Sequence, residues 1–205
     1  MHLLLVHGMG RTQLSLVRLA SFLRRAGHTT EQVGYLAATE PFARIVDRTQ
    51  SRLEGTAARG KPYAVIGHSL GGLILRAALD GITPAPRHFI MLGTPNQPPR
   101  LAQRLRRFWP YRLLCGEGGQ LLAQPDFLVH LPRPAVPYTI IAGSKGPRGR
   151  WSPFGDIPND WVVAVEETRL RLDDEIIVLP AGHTFMMNDR RVHAAIMRAL
   201  DPDAA

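Results

Sequence analysis

A serine with glycines two positions to either side lies where an apolar run meets a helical pattern. The stretch Gly67-His68-Ser69-Leu70-Gly71 has the G-x-S-x-G spacing and follows apolar residues 64–66. A chain that turns from strand into helix so sharply strains the middle residue and projects its side chain, while flanking glycines avoid collisions with neighbouring backbone. The pattern predicts Ser69 as a nucleophile. The alternative is an incidental serine in a strand–turn–helix joint.

A glycine-rich turn follows the first apolar run of the chain. His7-Gly8-Met9-Gly10 comes directly after residues 3–6. Acyl transfer to a serine needs two N–H donors aimed at the oxyanion, one from the residue after the nucleophile and one from the loop after an earlier strand. Leu70 and Met9 are the predicted donors. Taken alone the turn is an ordinary glycine-rich turn, but together the two motifs indicate acyl transfer.

Short apolar runs alternate with helical patterns, which is typical of a parallel α/β sheet. The predicted strands cover residues 3–6, 30–36, 63–66, 88–92, 138–142 and 175–179. The first predicted helix follows Thr12, whose side chain is expected to cap it. Further helices are predicted at about 41–58 and 70–80, and the last at about 192–199. No strand is predicted between 95 and 137, so residues 97–134 are interpreted as an insertion within a single domain spanning 1–205.

The two motifs and their order resemble the lipase and esterase branch of the α/β-hydrolase superfamily. HGMG, GHSLGG, then an acid and a histidine follow one another as in that family, over nearly the whole chain. The resemblance implies a three-layer α/β-hydrolase fold with helices on both faces of the sheet. The two antiparallel strands that open larger members have no counterpart here, which implies a minimal form with about six parallel strands.

The resemblance also implies which residues complete the catalytic triad. The family places its histidine after the last strand, where His183 stands in Leu179-Pro180-Ala181-Gly182-His183. The acid follows the fifth predicted strand, which leaves Asp160 and, as second choice, Asp156. Asp160 opens a stretch similar to the family's Asp-Gly-hydrophobic-Val pattern, with Trp161 in place of the glycine. Asp160 is alternatively the cap of a short helix.

The insertion occupies the position at which this family often carries a cap or lid. Its apolar residues are predicted to face an acyl-binding groove or a lipid surface, with Phe108 and Trp109 as substrate-binding residues. Apolar and basic residues alternate in it: Leu101, Leu105, Phe108, Trp109, Arg100, Arg104, Arg106, Arg107 and Arg112. The competing and favoured explanation is an amphipathic helix packed on the core.

Composition limits the classes of function. Of 205 residues 45% are hydrophobic and 20% charged, and 25 basic against 17 acidic residues give a net charge of +8. A solvated basic face is favoured over nucleic-acid binding, while peripheral membrane contact stays open. The single cysteine, Cys115, is interpreted as a packing residue, and neither a signal peptide nor a spanning segment is evident, which favours the cytoplasm. No metal or cofactor motif is evident.

These expectations converge on a serine hydrolase that acts on a small-molecule ester or lipid through Ser69, His183 and Asp160. Thioesterase, amidase or acyltransferase activity on the same fold is the alternative, and a catalytically silent binding scaffold is a further one.

Overall fold

The structure, a computed structural model, describes residues 1–105 and 107–201, with the backbone alone for 109–114. Six strands form one sheet: β1 (His2–Val6), β2 (Thr29–Val33), β3 (Tyr63–His68), β4 (Phe89–Leu92), β5 (Tyr138–Gly143) and β6 (Ile176–Leu179). All neighbouring strands are parallel, in the order β2–β1–β3–β4–β5–β6. All six predicted strands are therefore present.

Alternate side chains of the central strands enter two separate cores. Leu4 and Val6 of β1 belong to one cluster, and Leu3 and Leu5 belong to the other. Because successive strand residues point to opposite faces, a continuous apolar run means a strand covered on both faces. The sheet is accordingly the middle of three layers, which confirms the predicted fold class.

Seven α-helices among the described residues cover the two faces: α1 (Val17–Arg25), α2 (Phe42–Ala57), α3 (Leu70–Ala78), α4 (Arg100–Leu105), α5 (Trp109–Leu122), α6 (Pro125–His130) and α7 (Arg190–Leu200). Residues of α1 and α7 belong to the core on one face. Residues of α2 and α3 and of the insertion belong to the core on the other face. None of these helices is long and apolar enough to cross a bilayer.

The insertion forms two short helices, α4 and α6, and the longer helix α5. Buried Ala102, Leu122 and Leu128 join the core, as expected of amphipathic helices packed on the domain. Helix α5 is interrupted at Gly116, where φ is 56° and an added Cβ would lie 2.3 Å from the Ala37 carbonyl oxygen. The insertion thus packs closely against the segment between β2 and α2.

The prediction that Thr12 caps the first helix with its side chain is wrong. The chain instead forms a short 3₁₀ helix, Gln13–Leu16, before α1, and the Thr12 side chain makes no capping hydrogen bond. The Thr12 backbone carbonyl accepts hydrogen bonds from the Ser15 N–H and hydroxyl. An intervening 3₁₀ turn moves the start of α1 beyond the reach of Thr12.

Candidate active site

Ser69 lies at the sharp turn between β3 and α3. Its backbone has φ 53° and ψ −121°, a conformation that non-glycine residues rarely adopt, and its N–H donates to the Leu92 carbonyl at 2.9 Å. Strain of this kind is kept only where surrounding structure enforces it. The turn directs the Ser69 side chain toward the carboxyl edge of the sheet.

Glycines make this turn possible because neighbouring segments leave no room for a Cβ. A Cβ at Gly71 would lie 2.3 Å from the Val6 carbonyl oxygen, and one at Gly72 would lie 2.0 Å from Thr94 Oγ1. Both distances are far shorter than any normal contact. The turn therefore packs directly against the ends of β1 and β4.

The structure brings Ser69, His183 and Asp160 together in one chain of hydrogen bonds. The Ser69 hydroxyl donates to His183 Nε2 at 2.9 Å, and His183 Nδ1–H donates to Asp160 Oδ2 at 2.7 Å. The three side chains are buried, and they come from the loops that follow β3, β6 and β5. The hydrogen-bond network assigns the imidazole tautomer: the proton is on Nδ1, and Nε2 is the acceptor.

Asp160 is fixed by its surroundings independently of His183. Its Oδ1 accepts hydrogen bonds from the N–H groups of Val162 at 3.0 Å and Val163 at 2.7 Å, and its carbonyl accepts from the His183 N–H at 2.9 Å. The side chain closes a turn, not a helix, since the next 3₁₀ helix begins only at Val165. Asp156, the alternative acid, is exposed in the preceding loop and does not reach His183.

The backbone at Trp161 is unusual. Its φ is 88°, in the region that favours glycine, and glycine is the residue that the related motif has at this place. Buried Asn159 enforces the turn: its Oδ1 accepts from the Trp161 N–H, and its Nδ2 donates to the carbonyls of Pro147 and Ile157. The Trp161 side chain itself is 60% exposed.

The two predicted oxyanion donors lie at the same cavity as Ser69 or adjacent to it in the chain. Leu70 is the first residue of α3, where a backbone N–H has no acceptor within the helix. Met9 lines the same cavity as Ser69. Its loop is held by Tyr35, whose hydroxyl donates to the His7 carbonyl at 2.6 Å and whose ring stacks on the His7 ring at 4.0 Å.

His68 links the nucleophile turn to the histidine loop. Its Nε2–H donates to the His183 carbonyl at 3.0 Å, and the two rings lie 5.0 Å apart between centroids. Burial, with the nearby His183 ring as a lesser cause, holds the pKa of His68 well below its usual range. His68 is therefore neutral at neutral pH and adds no positive charge beside His183.

Ser69 and His183 open into an apolar cavity of about 280 Å³. One wall comes from the loops after β1 and β5, including Met9 and Val163. The facing wall comes from the insertion, through Leu101, Ala102, Cys115 and Leu122. The insertion thus both packs on the core and encloses the space next to the serine.

The structure does not bring Phe108 to this cavity. Phe108 precedes α5, and its side chain is 57% exposed to solvent. The side chain of Trp109, the other predicted substrate-binding residue, lies outside the described part of the structure. Leu101, another residue of the apolar set, does line the cavity.

Cys115 is a cavity residue that the sequence does not reveal. It lines the cavity half-buried, and burial raises the pKa of its thiol, which keeps it protonated and apolar in character. A lone cysteine without neighbouring signature residues carries no sequence signal for such a position. Among residues 1–105 and 107–201, no three histidine, cysteine or acidic side chains cluster as metal ligands.

Comparison with models of protein families finds no match, and comparison with curated proteins finds none either. Solved structures do match. Lipase BlEst2 of Bacillus licheniformis, in its mature form, has a TM-score of 0.75 at 19% identity over 97% of this chain and 91% of its own. Phospholipase PlaB of Legionella pneumophila has a TM-score of 0.74 at 18% identity, over 97% of this chain and 59% of its own. This chain has the α/β-hydrolase fold.

A third solved structure supports the same conclusion. The lipase-esterase related protein of Clostridium acetobutylicum has a TM-score of 0.64 at 16% identity, over 97% of this chain and 93% of its own. At such low identities the likeness establishes the fold alone. In this α/β-hydrolase fold the described site lies where ligands bind in open parallel sheets, outside the carboxyl ends of the strands.

Proposed function

We propose that the protein is a serine hydrolase that cleaves carboxylic esters through a Ser69–His183–Asp160 triad and an acyl-enzyme. The observation that carries this proposal is the hydrogen-bonded chain from the Ser69 hydroxyl through the His183 imidazole to the Asp160 carboxylate, with distances of 2.9 and 2.7 Å. A serine, a base and an orienting acid in this geometry are the parts of a nucleophilic mechanism. The fold that the chain shares with a lipase, a phospholipase and a lipase-esterase related protein supports the same activity.

In this mechanism Ser69 Oγ attacks the ester carbonyl carbon while His183 Nε2 takes the hydroxyl proton. The C–O bond to the alcohol then breaks, and Nε2 returns the proton to the departing oxygen, leaving the acyl group on Ser69. Water, deprotonated by the same Nε2, then attacks the acyl carbon. The bond from that carbon to Ser69 Oγ breaks, Nε2–H returns the proton to Oγ, and the acid leaves. Asp160 stays ionised throughout and stabilises the imidazolium that forms twice in the cycle.

The backbone N–H groups of Met9 and Leu70 receive the oxyanion of each tetrahedral intermediate. The start of α3 adds the positive end of the helix dipole beside the same oxygen. Each fixed donor of this type contributes about 10²- to 10³-fold to the rate. The glycines at positions 8 and 10 let the Met9 backbone approach the substrate closely.

The cavity supports a substrate with an apolar acyl group of limited length. Its volume of about 280 Å³ lies near the lower end of the usual range for small-molecule sites. Leu101, Ala102 and Leu122 close the side formed by the insertion. We therefore expect butyrate to octanoate esters to be better substrates than palmitate esters.

The test is hydrolysis of p-nitrophenyl esters from acetate to palmitate by the wild type and by Ser69→Ala. We expect turnover that peaks at short to medium chains, and a loss of about 10⁴-fold or more in Ser69→Ala. Ser51→Ala is the matched control, since Ser51 is exposed on α2 and donates to the Asp47 carbonyl. Turnover that survives in Ser69→Ala would contradict the proposal.

Two further measurements separate the alternative activities. A fluorophosphonate should label the wild type and not Ser69→Ala, and absence of labelling would indicate a catalytically silent scaffold. Parallel assays with thioesters, amides and an added acceptor alcohol distinguish a thioesterase, an amidase and an acyltransferase from an esterase. Acyl transfer to the alcohol that outruns hydrolysis would identify the acyltransferase.

A further inference from the structure

A second cleft is also lined by His183. It measures about 440 Å³ and shares His183 and Thr184 with the acyl cavity, but it contains neither Ser69 nor any residue of the insertion. Its walls include two large aromatic side chains, Trp161 and Phe185. We call this cleft, lined by Trp161, His183, Thr184, Phe185 and Lys145, the aromatic groove.

The Trp161 side chain is held at this groove at a cost to the backbone. Its φ of 88° favours glycine, and the turn uses only the Trp161 N–H, which a glycine would supply equally well. With 60% of its surface exposed, the indole does not offset that strain by burial in a core. A strained residue that contributes little packing indicates a role outside folding.

Phe185 stands two residues after His183 and is 65% exposed. The Arg11 guanidinium lies 5.3 Å from the centroid of its ring, a cation–π contact that restrains the ring at the rim. Two exposed aromatic faces at one groove form a surface suited to a flat apolar group, since aromatic pairs gain both from burial and from their quadrupoles.

The two carboxylates that line the groove are already paired. The Asp160 carboxylate is buried and bonded to His183, and the Asp189 carboxylate pairs with Arg191 at 2.6 Å. Lys145 is exposed at the rim. No free carboxylate among the described lining residues therefore opposes an uncharged aromatic ligand.

The chemistry of ester cleavage assigns the two cavities to the two halves of the substrate. The departing oxygen must lie beside His183 Nε2 to receive its proton, while the acyl carbon is bonded to Ser69 Oγ. With the acyl chain in the cavity under the insertion, the alcohol lies beside His183, where the second cleft adjoins. We propose that the aromatic groove binds the leaving alcohol, and that Trp161 and Phe185 select esters of flat, aromatic alcohols.

This inference rests on the proposed ester hydrolysis, and it specifies the chemical class of the alcohol that leaves. In the step concerned, the acyl C–O bond breaks, its electron pair stays on the alcohol oxygen, and His183 Nε2–H protonates that oxygen. The aromatic alcohol then leaves through the groove that Trp161 and Phe185 line. Both aromatic residues are specificity-determining residues and take no part in proton transfer.

The experiment compares benzyl and ethyl esters of butyric acid, which have leaving alcohols of similar basicity, in a pH-stat. We expect Trp161→Gly and Phe185→Ala each to raise KM for the benzyl ester roughly 3- to 10-fold, with the constants for the ethyl ester changed less than about two-fold. Trp161→Phe keeps an aromatic ring and should retain most of the benzyl preference. Because Trp161→Gly relieves the strained φ, its thermal midpoint should equal or exceed that of the wild type.

Trp151→Ala is the matched control. Trp151 belongs to the same loop and is 86% exposed, but it contacts Arg150 and does not line the groove. Equal effects of Trp161→Gly on both esters, or a change in acyl-chain preference at constant alcohol, would overturn the assignment while leaving the esterase proposal intact.

A binding measurement keeps the inference testable without turnover. Isothermal titration of 2-naphthylmethanol should give binding to the wild type and to Trp151→Ala, and binding weakened several-fold in Trp161→Gly and Phe185→Ala. If the wild type hydrolyses no ester, the proposed function fails, and this titration still decides whether the groove binds aromatic alcohols. Equal affinity in all four proteins would overturn the groove assignment.

Discussion

Asp160 divides its two carboxylate oxygens between different tasks. Oδ2 accepts from the His183 imidazole, and Oδ1 accepts from two backbone N–H groups of its own turn. An amide at this position cannot satisfy both sets of donors. In either orientation of an asparagine amide, its NH₂ group faces an N–H donor. The hydrogen bond with His183 Nδ1–H is then kept only if those from the Val162 and Val163 N–H groups are lost.

We therefore expect Asp160→Asn to lower kcat by about 10²- to 10⁴-fold, because the imidazole loses its ionised partner and its preferred tautomer. Steady-state hydrolysis of p-nitrophenyl butyrate measures the effect. Asp156→Asn is the control, since Asp156 is exposed in the preceding loop. A larger loss in Asp156→Asn than in Asp160→Asn would refute the assignment of the acid.

Single residues differ in how far their places can be predicted from sequence. The meeting of Ser69 and His183 is predictable because a short motif and a fixed position after a strand specify the two residues. The conformation of Trp161 is not, because contacts of Asn159 with Pro147 and Ile157 enforce it. Phe108 was predicted at the substrate because it is apolar, but in a segment without strand periodicity, packing alone decides where a side chain points.

At the scale of elements, α3 anchors the insertion through a buried arginine. Arg76 donates to the carbonyls of Leu131 at 2.8 Å and Pro132 at 3.1 Å, and to Asn96 Oδ1 at 3.2 Å. Asn96 in turn donates to the Thr168 carbonyl at 2.7 Å. Burial, with a smaller effect of Arg133, lowers the pKa of Arg76 to about 10, so it stays charged at neutral pH.

Replacing Arg76 should destabilise both the fold and the end of the insertion. Arg76→Met leaves three acceptor oxygens without their donor, and we expect it to lower the free energy of unfolding by about 2–4 kcal/mol. Urea denaturation measures this loss, and limited proteolysis should show faster cleavage near residues 123–135.

Arg198→Met is the matched control, because Arg198 is exposed on α7. It should change stability by less than about 0.5 kcal/mol. Equal stability of Arg76→Met and Arg198→Met would show that the buried hydrogen bonds of Arg76 contribute nothing.

Elements differ in predictability for a physical reason. The central strands are predictable because burial on both faces requires continuous apolar runs. The polar edge strand β2, Thr-Thr-Glu-Gln-Val, lacks such a run and is placed only by the alternation of elements. The helices of the insertion are either short or, like α5, interrupted. The interruption of α5 coincides with the close contact of Gly116 with Ala37, which no local sequence pattern encodes.

At the scale of the whole molecule, folding removes histidines from water. Burial lowers the pKa of His7 and of His88, and lowers that of His68 further. In the unfolded chain these side chains regain ordinary values of about 6.5. Below that pH the unfolded state therefore binds protons that the folded state excludes, and stability falls as the pH falls.

We expect the free energy of unfolding to decrease from pH 7 to pH 5.5. Each histidine that stays neutral in the folded state lowers the free energy of unfolding by up to about 1.4 kcal/mol for every pH unit below 6.5. Urea denaturation at several pH values gives the slope of the free energy of unfolding against pH. His68→Gln should reduce this slope by up to the amount that corresponds to one bound proton. Identical slopes for the wild type and His68→Gln would contradict the neutral, buried state of His68.

The division of the cavity walls has a consequence for protein engineering. The proposed reacting groups come from loops of the sheet, whereas one continuous stretch of chain supplies Leu101, Ala102, Cys115 and Leu122 to the lining of the cavity. If the proposed esterase activity holds, a combinatorial library confined to that stretch would sample new acyl preferences while keeping the proposed catalytic groups in place. Glu117 should be kept unchanged in such a library. Its carboxylate accepts a hydrogen bond from the Phe42 N–H and so holds the insertion against helix α2.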